Sequence, residues 1–592
     1  MDSDTSERQP FADTGSPRIG IRRRSWPEWH SSYTVLLVSL LERVGKGGLV
    51  VNLVQYLEFH SFLGWSSNSA TIATLLCTKL SMLGAILSGL LADTLFGHYR
   101  VLLVSLLLQL AGSLLLLAAV VAESNVAHDE KHHSSLEGLV ISGLVLFGLG
   151  LAGSTGTEIP LGVSQHALRG ESGQQAKVFF PRYYWCINVG SMLGLLSGVI
   201  QVQESYHVYG YILPPVFYFL SVIALLLLNR TILGEMPSRA NPISDTWTVA
   251  KEAIRVRWRK NKRSPMVFTQ ERQGANRLYW KDSAGSLANW VRYAEKTYGG
   301  SFDYNRVAKV HNFLSVLAVL SAMMFCQITL AQTLTSFVSQ GNLMRLPIQR
   351  APANNGSFHI PASSFTAFNS IGVLLGTPIV ICVIYPGWQA WSKGTPPSHL
   401  KRITFGMMLA IVVLMAAAAL EVERRKAGRW DALTTADHSA NPHSKILKVS
   451  SLPIYYQVPQ YTLSGLSEVF ITVSALEFAY SCSPPRMKGI AVGLVYASIG
   501  LSSIVSVGAL LLIHALHPSM FYVSDQQGQV YYYYIALAGI MLVGLVLFLI
   551  VSKRFKRVPI YSSAGASGGV NDYRAISTTS MTASHVTISQ SV

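Results

Sequence analysis

Three side chains in this 592-residue sequence carry charge where charge costs most: Glu42, Arg43 and Glu468 each lie inside a long apolar run. An ionised group at the centre of a bilayer costs at least about 2.5–3.5 kcal/mol, so each requires a partner or a water-filled cavity. A carboxylate there can meet an amine or titrate. A guanidinium offers a planar fork that meets a carboxylate through two parallel hydrogen bonds. Glu42 beside Arg43 also reads as a buried structural ion pair. Glu477 lies nearer the end of its apolar run, where snorkelling is expected. No nucleophile stands beside a base, and no phosphate-binding loop is present, so an enzyme is not expected. The five cysteines, Cys77, Cys186, Cys326, Cys382 and Cys482, fall singly in apolar segments. Neither a disulfide framework nor a metal site follows from that spacing, and no cofactor is expected beyond protons as a coupling ion.

The elements that hold these residues are spanning helices. Half the residues are hydrophobic and only 13% are charged, a balance that points to the bilayer. A membrane core of about 30 Å needs about 20 apolar residues per helix. Twelve runs qualify, near 33–57, 70–92, 100–122, 136–160, 179–203, 211–233, 310–338, 361–386, 403–421, 455–481, 489–515 and 531–552. Met1 to His30 is polar, so the first run reads as a span and not as a cleavable signal. The longest hydrophilic interruption, Gly234 to Arg306, divides the runs six and six, the layout of a two-bundle secondary transporter. The expected organisation is a cytosolic arm (1–32), a six-helix bundle (33–233), a cytosolic loop (234–306), a second bundle (307–552) and a disordered tail (553–592).

The net charge of +17 sits in short stretches between apolar runs, which argues for membrane topology over nucleic acid. Arg22 to Arg24, Arg255 to Arg263 and Lys553 to Arg557 place both termini and the central loop in the cytosol. The basic loop Arg424 to Lys448 conflicts with that rule. The sequon Asn355-Gly356-Ser357 falls in an outer loop and agrees with it as a glycosylation site. Trp247, Trp258, Trp280 and Trp290 among basic residues make the central segment either interfacial amphipathic helix or solvated linker.

Gly89-Leu90-Leu91-Ala92-Asp93-Thr94-Leu95-Phe96-Gly97-His98-Tyr99-Arg100 resembles the loop signature of the major facilitator superfamily. That resemblance makes Asp93 and Arg100 conformational residues that brace the inward-closed state. Phe179-Phe180-Pro181-Arg182-Tyr183-Tyr184-Trp185-Cys186-Ile187-Asn188-Val189-Gly190 is similar to a signature of the proton-coupled oligopeptide transporters. Gln457-Val458-Pro459-Gln460-Tyr461, Gly465 to Phe470 and Leu476 to Tyr480 resemble the peptide and histidine transporters of solute carrier family 15. The likeness covers roughly residues 33 to 552. It implies an all-α membrane protein of the major facilitator fold, with twelve helices in two six-helix bundles. It further implies that Arg43 meets a substrate carboxylate, that Glu468 meets its amine, and that Asn188, Gln332 and Asn369 line the cavity. Each of those amides also reads as a helix–helix hydrogen bond.

Departures from the family pattern concentrate in proton coupling. The family's Glu-x-x-Glu-Arg begins here with Ser39, its tyrosine pair is Lys46-Gly47, its helix-four lysine is Thr155, its following acid is Ser164, and a helix-two tyrosine is Met82. A serine cannot titrate as a carboxyl group does, so the likeliest relay is missing. Ser39, Glu42, Arg43 and Lys46 recur on one helical face, and Glu158 lies three residues after Thr155. A Lys46–Glu158 exchange of signs faces a depth mismatch. Lys46 moves about 10 Å outward while Glu158 moves about 4.5 Å the other way.

The resulting expectation is a secondary transporter of small peptides, histidine or a related amino-bearing solute, with proton coupling through Glu42, Glu158 or Glu468. The alternatives are an uncoupled carrier, or a transporter-fold receptor or scaffold that recruits a cytosolic adaptor. Glu7-Arg8-Gln9-Pro10-Phe11 and Tyr573-Arg574-Ala575-Ile576 resemble sorting signals. With the family likeness they favour the endolysosomal membrane over the plasma membrane.

Overall fold

The computed structural model describes residues 31–53, 56–57, 65, 73–74, 76–125, 133–168, 173–201, 207–227, 232, 242–262, 286–325, 327–333, 335–345, 362–427, 429–432, 447–484, 487–516 and 530–558. The N-terminal arm, Asn355, Trp280, Cys326, both sorting-like motifs and the tail beyond 558 lie outside them.

The apolar runs fold as helices because a backbone in lipid must satisfy its own polar groups. In the first half these are α1 (Ser31–Val50), α2 (Leu76–Phe96), α3 (His98–Asn125), α4 (His133–Leu168), α5 (Gly173–Gln201) and α6 (His207–Leu227). A loop helix, α7 (Pro242–Lys262), leads to the second half. That half holds α8 (Tyr304–Phe325), α9 (Ile328–Thr333), α10 (Ser336–Asn342), α11 (Ala362–Trp391), α12 (His399–Lys426), α13 (Ile454–Cys482), α14 (Lys488–Leu516) and α15 (Val530–Lys553).

Eleven helices among the described residues are long and apolar enough to cross a membrane. α1 stands apart because it carries Glu42, Arg43 and Lys46, and by position it is the first of twelve spans. Lipid-facing sides are apolar: Leu542, Val543, Val546, Leu547 and Ile550 of α15 are all exposed.

The seventh span, read from sequence as one run, is broken into α8, α9 and α10. Thr333 and Thr335 donate their hydroxyls to the carbonyls of Leu330 (2.7 Å) and Ala331 (2.8 Å). Such back-bonding competes with the helical ladder and bends it. Residue 335 leaves helical geometry, at φ −125° and ψ −93°. A short antiparallel hairpin, β1 (Arg429–Ala432) with β2 (Leu447–Ser450), joins α12 to α13 inside the basic loop. The central segment does form a helix. α7 packs Val249 and Ala253 against Val291, Ala294, Val307 and Val558, while Trp247 and Trp258 stay exposed.

Small residues set the helix spacing. A Cβ at Gly190 of α5 would stand 2.5 Å from the Leu40 carbonyl and 2.8 Å from Arg43 Cβ, so only glycine lets α5 lie this close to α1. Between the halves, a Cβ at Gly89 of α2 would stand 2.5 Å from the carbonyl oxygen of Gly489 on α14. These close approaches take the place of the hydrophobic drive that lipid cannot supply.

Candidate functional site

The charged residues of α1 turn inward because the other sides of the helix are packed on α5 and α6. Glu42 is buried, and its Oε2 lies 3.3 Å from Arg43 Nε. Ser154 of α4 donates to Glu42 Oε1 (3.2 Å), and Gln109 of α3 donates to Ser154 Oγ (2.9 Å). This chain of donors fixes the carboxylate in place and leaves the guanidinium beside it. Glu158, also on α4 and buried, accepts from Tyr183 of α5 at 2.7 Å. Glu42 and Arg43 lie within electrostatic reach of it. Ser39 therefore sits on the α1 face that looks toward a carboxylate borne by another helix. The direct Lys46–Glu158 ion pair is not formed.

Glu468 belongs to the second half and is bonded across the interface. Tyr184 of α5 donates its hydroxyl to Oε1, and Asn369 of α11 donates to Oε2 at 3.1 Å. Arg43 and Lys79 are close enough for their charges to act on it. A π-helical turn, 469–473, follows Glu468 immediately. Such turns insert a residue into the helical ladder and recur at functional sites.

The other two amides do different work. Asn188 donates to the Tyr184 carbonyl one turn back on α5 (2.9 Å). Gln332 accepts from Tyr533 of α15 (3.1 Å) and from Ser336 (2.7 Å), so it joins helices within the second half. The structure thus gathers Glu42, Arg43, Glu158, Asn369 and Glu468 around one central region and leaves Gln332 behind it.

Lys79 of α2 was not among the charged residues singled out from sequence, although it interrupts the second apolar run and the same cost argument applies to it. It sits in a π-helical turn, 76–80. Glu477 does not snorkel. It is buried and pairs with Arg402 Nη1 at 3.1 Å, and His399 Nδ1, also of α12, lies 3.5 Å from the same carboxylate. A second buried pair was likewise unforeseen. Arg424 meets Glu421 in a bidentate fork at 2.6 and 2.9 Å, and Gln340 donates to the same carboxylate at 3.0 Å.

The halves touch on both sides of Glu468. On one side Asp93 accepts from the backbone N–H groups of Gly489 (3.2 Å) and Ile490 (3.0 Å), and His98 Nε2 lies 3.3 Å away. A carboxylate at these N–H groups caps α14 and complements its dipole. Arg100 is exposed and makes no ion pair among the described residues. On the other side Ser363 of α11 donates to Asn52 Oδ1 at 3.3 Å, just past α1.

A family model described as the POT family matches residues 99–519. The chain belongs to the POT family. Solute carrier family 15 member 3 of Rattus norvegicus is 26% identical over 589 residues, covering 94% of this chain and 96% of that protein. Protein NRT1/PTR family 4.5 of Arabidopsis thaliana is 25% identical over 521 residues, covering 85% and 87%. A crystal structure of an auto-inhibited POT family peptide transporter aligns with a TM-score of 0.62 at 20% identity, covering 90% of this chain and 98% of that one. A POT family transporter in complex with 5-aminolevulinic acid aligns at 0.57 and 15% identity, covering 89% and 96%. The shared fold is that of a major facilitator, and this POT family member is a multi-pass membrane protein of the transporter class.

Proposed function

We propose that this POT family protein moves small peptides, histidine or a related amino-bearing solute across its membrane by alternating access, with Arg43 meeting the solute carboxylate and Glu468 its amine. The observation that carries the reading is the pairing across the interface. Arg43 belongs to the first half and Glu468 to the second, each within electrostatic reach of the other, and the Tyr184–Glu468 hydrogen bond already ties the halves there. A zwitterion set between opposite charges on two bundles joins solute binding to closure. A carrier can use its solute's binding energy only through such a difference between states.

Protons enter the proposal through the carboxylates. Glu42, Glu158 and Glu468 share one region in which unpaired charge is costly, and a proton is the smallest species that neutralises one of them as the solute arrives or leaves. An uncoupled carrier is the second reading, supported by Ser39 and Thr155 where the family pattern has titratable groups. The basic segments support cytosolic termini, and the sorting-like motifs together with the family likeness support an endolysosomal membrane.

Uptake of labelled dipeptide and of histidine into liposomes, with and without an inward proton gradient, tests this. Gradient-driven accumulation is expected, lowered at least about tenfold in Arg43→Ala and in Glu468→Ala, the scale of a lost hydrogen bond to a charged group. Uptake that only equilibrates, indifferent to the gradient, establishes the uncoupled carrier. Absence of flux from a folded protein that retains a partner from cytosolic extract favours the receptor.

A further inference from the structure

The central site leaves two charges unanswered. Glu42 is met by Arg43 and Ser154, Glu158 by Tyr183, and Glu468 by Tyr184 and Asn369. Lys46 and Lys79 make no hydrogen bond and no ion pair among the described residues.

Packing places both lysines toward the site. On α1, a Cβ at Gly45 would meet Tyr218 at 2.8 Å, at Gly47 the Ser191 carbonyl at 3.0 Å, and at Gly48 Ser197 at 2.8 Å. Those sides of α1 are therefore committed to α5 and α6. Lys46, one turn beyond Glu42 and Arg43, shares their inward stripe. On α2, a Cβ at Gly500 of α14 would stand 3.0 Å from the Lys79 carbonyl and 3.4 Å from Met82, so Lys79 lies on the seam between the halves. Lys46 is within electrostatic reach of Arg43, Glu42, Lys79 and Glu158, and Lys79 is within reach of Glu468. Three cations thus gather where each carboxylate already has a nearer partner. An ammonium at this depth is costly until something neutralises it, and two together repel each other.

We propose that Lys46 and Lys79 form an anion subsite beside Arg43 and Glu468, and that the preferred solute is an amino-bearing one with a second negative group, a carboxylate or a phosphate. The inference rests on the assignment of Arg43 and Glu468 above. In such a solute the amine meets Glu468, one anionic group meets Arg43, and the second lies between the two ammoniums. A lysine ammonium is a compact point charge with three rotatable donors, so it accepts either oxyanion without the bidentate geometry that arginine favours.

The test compares Ala-Ala, Ala-Glu and Ala-phosphoserine on the full chain, by calorimetric binding in detergent and by uptake into liposomes. Ala-Glu, Ala-phosphoserine or both are expected to bind about tenfold or more tighter than Ala-Ala, and which of them does so identifies the anion. Lys46→Gln and Lys79→Gln are expected to lower that acidic-to-neutral ratio about tenfold, while Lys46→Arg and Lys79→Arg keep it. Because the readout is a ratio within each variant, loss of folded protein does not imitate the effect. Equal binding of all three dipeptides, or a ratio unmoved by both glutamine variants, overturns the subsite. Acid-selective binding without flux leaves the subsite standing and sinks the carrier reading. A folded protein that binds none of the three overturns both.

Discussion

Glu42 shows how much one side chain depends on groups that hold no charge. Its carboxylate is held by Ser154, which is held by Gln109, and Arg43 lies against its other oxygen. Ser154→Ala removes one hydroxyl and leaves a buried carboxylate oxygen and a buried amide N–H without that partner. The expected cost is about 1–3 kcal/mol, read as a lower thermal midpoint of the purified protein; an unchanged midpoint denies the chain a structural role. The charged members of this site were legible in the sequence because charge in an apolar run has few explanations. Lys79 carried the same signal. Ser154, Gln109 and Tyr184 did not, since serine, glutamine and tyrosine are ordinary in spanning helices and only their neighbours across the bundle make them matter. The fate of Gln332 was equally hidden. An amide reads alike whether it faces a cavity or, as here, the hydroxyl of Tyr533.

At the scale of elements, the positions of Arg43 and Glu468 follow from how closely helices approach. The run of glycines in α5 lets α1 settle against it, and the side chain most affected is Arg43, whose Cβ would meet a new methyl group at Gly190 at 2.8 Å. Gly190→Ala is expected to push α1 outward, cost about 1–3 kcal/mol by overpacking, and lower dipeptide uptake with it. Gly138→Ala on α4, where a Cβ meets nothing within 4 Å, is the matched control and is expected to leave uptake unchanged. Equal effects of the two would mean that helix propensity, and not contact with α1, governs the site. Span positions were readable from hydropathy alone, apart from ends that shift by several residues. The break between α9 and α10 was not readable, because Thr333 and Thr335 disturb the ladder only once their hydroxyls choose carbonyls one turn back. The hairpin after α12 was only faintly marked: Arg429–Ala432 and Leu447–Ser450 each alternate polar and apolar residues, but over four residues apiece, the shortest run that reads as a strand.

For the whole molecule, the question is which side opens. The Asp93 cap on α14 and the Asn52–Ser363 contact lie on opposite sides of Glu468, and alternating access requires that each can part while the other holds. The Asp93 signature was legible as a motif, yet its partner was not. The carboxylate reaches two backbone N–H groups nearly 400 positions along the chain, a contact no local pattern encodes, while Arg100 stays exposed. Asp93→Asn keeps the shape of the cap, removes its charge from the positive end of the helix dipole and leaves a single acceptor for two donors. The loss expected is about 1–3 kcal/mol, a population shift of roughly five- to 150-fold toward the state open on that side. Spin labels at Leu95 and Lys401 in a cysteine-free background would report it as growth of a longer-distance population relative to the unmutated cap. Because Glu468 lies between the two contacts, the same variant is expected to weaken gradient-driven accumulation more than equilibrative exchange, since a leaky latch spares binding and spoils the order of opening. An unaltered distance distribution would place the barrier elsewhere, with the ring contact between Phe180 and Tyr480, at 5.7 Å between centroids, next in line to carry it.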